Sequence, residues 1–258
     1  MHERPGARVG GTRRREVPRV PTPHPDSLSG PTRVLRWVAG MGLMTVSYLR
    51  DRHLVVRSEE PGGDADLPAS VPADLTDDRV QPQEHGRGPL FHRRFTVLVD
   101  GATTDAEGLM SVVRGDLERL LPKEVAAVSP HGDGTPPKPG DEFVVRMPGP
   151  WDGPVRVIST DDTHLRLTTL AGHLEAGQIE FRADDTTEGL RFTIETWARP
   201  GTWLVDLLFT YLRVAKEMQL FMWVRACLAA TRIAGHGPAG HVYAHTRRVR
   251  SSEGREAA

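Results

Sequence analysis

A histidine and a glutamate two positions apart, His173 and Glu175, are the side chains in this sequence best spaced to do chemistry. They lie in the stretch GHLEAGQIEF at 172–181. Side chains on a strand alternate between faces, so an unbroken strand that turns Ile179, Phe181 and Ala183 inward also turns His173 and Glu175 inward, with Gly177 between. Residues two apart on a strand lie ~6.5 Å apart, close enough to share a ligand or a water. A carboxylate among apolar neighbours is costly unless paired, and burial raises its pKa. A His–Glu pair facing a pocket therefore suits proton transfer or recognition of a polar ligand group. A bulge at Gly177, or a turn over 172–175, reverses the parity and sends both side chains outward.

Three further residues are candidates for lining a ligand site. Phe181 shares the inward face. Trp151, in the loop MPGPWDGP at 147–154, is either a lid over a pocket mouth or a packed loop aromatic. Tyr211 either offers its hydroxyl to a cavity or satisfies it within the core. No residue is assigned as catalytic by type and spacing alone. His173 and Glu175 supply two metal ligands and spacing assigns no third, so no metal is expected, and no cofactor either. Gly-rich phosphate loops, Gly-x-Ser-x-Gly elbows, His-Glu-x-x-His and paired Cys-x-x-Cys are all missing from the sequence. The run GMGLMT at 40–45 mimics the start of a dinucleotide fingerprint but lacks its third glycine and a preceding strand.

The elements that would position these residues follow from patterning. The chain has 258 residues, 38% hydrophobic and 26% charged, with a formal net charge of −1. That balance gives no general attraction to nucleic acid, and none is expected for the folded domain. The single cysteine, Cys227, excludes an internal disulfide and fits a buried small hydrophobe in mid-helix; a reducing, cytoplasmic setting is the expectation. Residues 1–33 read as a disordered, basic, Pro-rich tail, and residues 34–50 as an apolar helix. Its apolar run, from Val34 to Leu49, is shorter than the ~20 residues that cross a bilayer. Docking on the main domain is the preferred reading and peripheral membrane contact the alternative.

Residues 51–88 read as a linker or strap, with a short strand at 53–57. The main domain is expected at 89–234 and a basic tail, after a short strand at 241–245, at 235–258. Within the domain, Phe95, Val97 and Val99 mark a first strand, and Thr104 or Asp105 caps a helix over 106–121. Strands follow at 142–147, 155–159, 164–170, 174–183 and 190–198. Leu190, Phe192 and Ile194 point inward, which assigns Arg191, Thr193 and Glu195 to solvent. Arg156 and Arg166 are expected to pair with acids across strands at the surface. A last helix spans 203–234. Its stripe of Leu204, Leu208, Tyr211, Ala215, Met218 and Met222 faces the sheet, and beyond Glu217 it is apolar on every side. The 34–49 helix is expected to cover the free side, with a homodimer interface as second choice.

This order, strand–helix–strands–long helix, is that of an α+β helix-grip domain, a curved antiparallel sheet wrapped around its last helix. Four motifs agree with it: GPLFHRR at 88–94, DEFVVRMPGPWDGPVRV at 141–157, TLAGHLEAGQIEF at 169–181 and LRVAKEMQL at 212–220. Together, over about 79–234, they resemble the family known as DUF1990. The resemblance implies a fold like those of START and Bet v 1 proteins, which hold hydrophobic ligands in a cavity, and it implies no reaction. The leading expectation is binding of a small hydrophobic or amphipathic ligand. A cofactor-free enzyme of cyclase or hydrolase type using His173 and Glu175 is one alternative. A membrane-associated or protein-interaction module acting through the amino-terminal helix is the other.

Overall fold

Alternation in LFHRRFTVLV turns Phe95, Val97 and Val99 into a closed core, while Arg94, just before them, stays exposed and Thr96 and Leu98 between them are half-buried. The same period recurs along the chain and builds most of a sheet. The structure, a computed structural model, describes residues 52–86, 88–121, 127–128, 136–146, 152–201, 209–237 and 240–249; the side chains of 209–219 fall outside that description. The strands are β1 (Val55–Gly62), β2 (Leu90–Val99), β3 (Ala127–Val128), β4 (Glu142–Arg146), β5 (Asp152–Thr160), β6 (His164–Thr169), β7 (Glu175–Thr186), β8 (Gly189–Pro200) and β9 (Val242–Val249). The helices are α1 (Ala106–Gly115) and α2 (Phe209–Ile233). One sheet results, in the order β1-β9-β2-β8-β7-β6-β5-β4-β3. Its pairs are antiparallel except β1 with β9.

After β2 the chain passes through α1 to the far edge, then returns strand by strand until β8 lies beside β2. The helix α1 touches β6, β7 and β8; α2 touches β2, β8, β9 and α1. Both lie on the face that carries Phe95, Phe181, Phe192 and Ile194, and one apolar core joins them. This is the expected helix-grip α+β arrangement: a mixed, mainly antiparallel sheet around a long carboxy-terminal helix.

Local chemistry explains where elements start and stop. The Asp105 carboxylate accepts the Gly108 N–H at 2.8 Å and caps α1. The expected helix to 121 instead breaks after Gly115. Glycine weakens a helix, and the Asp116 carboxylate takes the Glu118 N–H at 3.1 Å, opening a separate 3-10 turn at Leu117–Arg119. In α2, Leu220, Phe221, Met222, Val224, Ala226, Cys227, Leu228 and Ala230 are buried, more than one face of the helix. Leu121, Leu117, Phe143 and Val145 meet its second side. Burial pushes the Cys227 thiol far above its ordinary pKa, so it stays protonated and inert. The 34–49 run expected to cover this helix lies outside the described residues.

Two segments differ from their expected lengths. The strand at 53–57 runs on as β1 to Gly62, and the strand at 241–245 runs on as β9 to Val249. Each finds a long partner in the other, so the sheet takes in strands on both sides of 89–234. The strap between β1 and β2 crosses the sheet's other face in short 3-10 turns and buries its own Asp66 and Gln83. No helix among the described residues is long and apolar enough to cross a membrane.

Candidate functional site

Cross-strand register arranges the inner face in rows. Ile194 stands between Phe95 and Phe181 in an apolar row. One row on, Thr196 stands between Arg93 and Ile179, and Arg93 is flanked on its other side by Thr246. The row after that holds Phe91, Ala198 and Gly177. An apolar floor thus gives way to a polar strip of Thr246, Arg93 and Thr196, whose relative exposures are 7%, 4% and 3%. The Arg93 guanidinium carbon lies 4.9 Å above the Phe91 ring.

Above this floor runs α2. Its carboxy-terminal end is fixed at the far end of β2, where Thr103 N–H donates to the Ala234 carbonyl at 2.9 Å. Its amino-terminal half therefore lies toward the Arg93 end. Trp223 meets Phe181 edge to face, ring centroids 5.9 Å apart. The Trp223 indole Nε1 and the Thr196 Oγ1 are both buried and have no hydrogen-bond partner. Buried donors are nearly always satisfied, so two orphans over one apolar floor call for an explanation.

At the edge of this floor the β6–β7 ladder ends at Thr168–Gln178. Beyond it the strands part, and the strap threads between them. Gln81 N–H donates to the Thr169 carbonyl at 2.9 Å, and Gly177 N–H donates to the Gln81 carbonyl at 3.1 Å. The Gln81 side-chain amide donates to the carbonyls of His173 and Glu175, both at 3.2 Å. Gly177 lets β7 lie close against β8 at this point. Its φ is +154°, and a Cβ there would stand 1.8 Å from the Trp197 carbonyl oxygen.

The structure separates the two residues that spacing had paired. Gly172 turns the chain with φ +98°, and β7 begins only at Glu175. Pairing with β8 is unbroken from Glu175–Pro200 onward, which keeps Glu175 in line with Gly177 and Ile179 on the inner side. His173 belongs to the turn. Its Nδ1 accepts the Glu175 main-chain N–H at 2.9 Å, so the two residues meet through backbone. Burial disfavours the imidazolium and draws the His173 pKa down to about 4, with the Glu175 carbonyl offsetting part of that loss. Phe181 is fully buried in the core. Tyr211 lies within α2 but its side chain, like all of Trp151, is outside the described residues. Among the described residues no group of three His, Cys, Asp or Glu side chains is placed to hold a metal.

On the opposite face the structure corrects the expectation of solvent. Glu195 is 6% exposed and Arg156 also 6%. Parity is as expected, but the strap covers the face. His92 Nε2 lies 2.6 Å from Glu195 Oε1 and its Nδ1 3.1 Å from Asp66 Oδ1. Arg94 donates to Glu195 at 2.7 Å. Arg156 bonds Glu142 across the strands, at 2.6 Å, and Asp77 of the strap at 2.7 Å. Burial works against the Asp66 carboxylate, but the Gly63 N–H, Arg247 and His92 outweigh it and hold its pKa down to about 2.

Residues 110–229 match the model of a family described as a domain of unknown function. The family is DUF1990. The matched segment runs from inside α1 to near the end of α2, and so contains Thr196, Trp223, His173 and Glu175; Arg93 precedes it. No curated protein matches the chain. Among solved structures, the di-domain ARO/CYC protein StfQ of the steffimycin biosynthetic pathway shares 16% identity at TM-score 0.39, covering 59% of this chain and 54% of its own. The chain therefore spans about half of that protein's length. A protein from Arthrobacter aurescens shares 13% identity at TM-score 0.39, covering 56% of this chain and 86% of its own. The major latex-like protein 151 of Panax ginseng shares 14% identity at TM-score 0.32, covering 52% and 95%. Likenesses this loose transfer no activity to this chain.

Sequence reasoning missed Arg93 and Thr196, though the signal was present. Extending the inward sets Phe95–Val97–Val99 and Leu190–Phe192–Ile194 by one step each reaches both residues.

Proposed function

We propose that this protein binds a small hydrophobic or amphipathic molecule between the inner sheet face and the amino-terminal half of α2. One observation carries the reading: Thr196 Oγ1 and Trp223 Nε1 are buried without partners beside an otherwise apolar floor. An unsatisfied buried donor costs about 1–3 kcal/mol. A guest with an apolar body and an acceptor atom would relieve that cost while covering Phe181, Ile179 and Ile194. Trp151, Tyr211 and Glu175 are proposed as further lining, with His173 beside it at the turn. Native mass spectrometry of protein purified from its own host tests the reading. A bound guest that is released on denaturation is the expected result, and a bare chain would count against it.

A second reading, cofactor-free catalysis of cyclase or hydrolase type by His173 and Glu175, draws on the depressed pKa of His173, because perturbed groups gather at functional sites. A base with a pKa of about 4 is a weak proton acceptor at neutral pH, and its Nδ1 is already engaged by the backbone. Binding is the better-supported reading.

A further inference from the structure

The β5–β6 hairpin brings a serine, a histidine and an aspartate into one hydrogen-bonded line, beside Arg166 on the outer face of the sheet. Ser159 Oγ lies 2.6 Å from His164 Nε2, and His164 Nδ1 lies 2.7 Å from Asp161 Oδ2. A carboxylate can only accept, so it takes the Nδ1 proton and leaves Nε2 to receive the Ser159 hydroxyl proton. The hairpin fixes this line from behind. Asp161 Oδ1 accepts the Thr163 N–H at 2.8 Å and the His164 N–H at 2.9 Å, and the Asp161 N–H donates to the His164 carbonyl at 3.1 Å. Burial works against the Asp161 carboxylate, but the Thr163 N–H and the His164 ring outweigh it and hold its pKa below the ordinary value. A bulge sets Ser159 itself. Pairing steps from Val157–Leu167 to Ser159–Arg166, so β5 spends one residue more than β6, and such bulges re-aim the side chains beside them. The line is open to solvent, with the Asp161 side chain 59% and the His164 side chain 22% exposed.

We propose that Ser159 is an acyl acceptor and that this hairpin hydrolyses small carboxylic esters with a good leaving group, His164 acting as base and Asp161 as the positioning residue. The activity is separate from the guest site on the inner face. Ser159 Oγ bonds to the ester carbonyl carbon as its proton passes to His164 Nε2. The C–O bond to the leaving group then breaks, and the departing oxygen takes that proton from His164. A water repeats the two steps on the acyl-serine, releasing the acid and restoring the Ser159 hydroxyl. Water also reaches the developing oxyanion in so open a site, which restricts the reaction to esters that are already activated. A second contact of similar composition, Ser58–His245–Glu60, lacks the same polarity. There Ser58 meets Nδ1 at 2.6 Å, and Glu60, 2.9 Å from Nε2, is shared with Arg247 at 2.7 Å. The guanidinium offsets the charge that would hold an imidazolium, whereas Asp161 pairs with no arginine among the described residues.

Two measurements on the full chain test this: the rate of 4-nitrophenyl acetate hydrolysis, and covalent labelling by an alkyl fluorophosphonate, located by peptide mass spectrometry. The fluorophosphonate should phosphonylate Ser159, fluoride leaving as the Oγ–P bond forms. Ser159→Ala should abolish that adduct and lower the ester rate about tenfold or more. His164→Gln should slow labelling of Ser159 about a hundredfold, the usual weight of a general base. Asp161→Asn keeps a side-chain acceptor for the turn but sets an amide against Nδ1, so it should slow labelling about tenfold or more, and Asp161→Glu should restore part of the rate. Ser58→Ala should change neither measurement. Thermal melts followed by circular dichroism confirm that each variant is folded; should His164→Gln fail that control, Ser159→Ala and Asp161→Asn decide. An unlabelled Ser159, labelling as fast in the folded His164 or Asp161→Asn variants as in the wild type, or an ester rate unchanged in Ser159→Ala would overturn the proposal. None of these outcomes touches the guest reading of the inner face.

Discussion

The His92 imidazole stacks on the Trp197 indole, its direct cross-strand neighbour, with ring centroids 5.2 Å apart and planes within 7° of parallel. Arg166 covers the indole as well, its guanidinium carbon 5.0 Å from the ring centroid. This stack, with Glu195 and Asp66 at the two imidazole nitrogens, anchors the strap to the sheet. Removing one partner of a buried ionic cluster leaves the others uncompensated, which typically costs about 3–5 kcal/mol. Glu195→Ala is therefore expected to lower the unfolding free energy by about 3 kcal/mol in urea denaturation. A loss under about 1 kcal/mol would show that the cluster is held by packing alone.

Acid should weaken the anchor at Asp66. Its pKa is 3.8 ordinarily and about 2 in the fold, so the fold favours the ionised carboxylate. The corresponding stability, about 2 kcal/mol, is fully present above pH 4 and is lost as pH falls toward 2. Asp66→Asn should remove that dependence, as read from denaturation midpoints between pH 4 and 2.

His173 should act in a separate window. Its pKa falls from 6.5 to about 4 on folding because the buried ring is kept neutral. Between those values the unfolded chain binds a proton that the folded chain refuses. Stability therefore declines as pH drops from 6.5 to 4, by about 3 kcal/mol in all. His173→Gln should flatten the profile across that interval and leave the Asp66 window below it unchanged.

Gly177 is the residue least open to substitution at the β6–β7 end. A Cβ there meets the Trp197 carbonyl and demands a φ that side-chain-bearing residues avoid. Gly177→Ala is expected to cost about 3 kcal/mol or more, or to yield no folded protein. A melt within a degree or two of the wild type would contradict the close packing of β7 on β8.

The period-two pattern made the inner face legible: Phe95, Val97, Phe181, Phe192 and Ile194 all sit where alternation puts them. Strand parity also assigned Glu195 and Arg156 to the outer face correctly. It could not reveal that they are buried, because burial there comes from a strap whose own sequence has no period. The pairing of His173 with Glu175 failed at Gly172, where a positive φ inserts a turn that a count of residues does not register. The parallel match of β1 with β9 joins segments nearly two hundred residues apart, and local sequence gives no sign of such a partnership.

The most direct test of a guest between the inner face and α2 is an amide and indole NMR titration with N-phenyl-1-naphthylamine, the Trp223 indole signal being assigned through Trp223→Phe. The account predicts saturable shifts of the Trp223 indole N–H together with the Thr196 amide. Shifts confined to exposed outer-face positions such as Tyr243, with Trp223 and Thr196 unmoved at saturation, would contradict it.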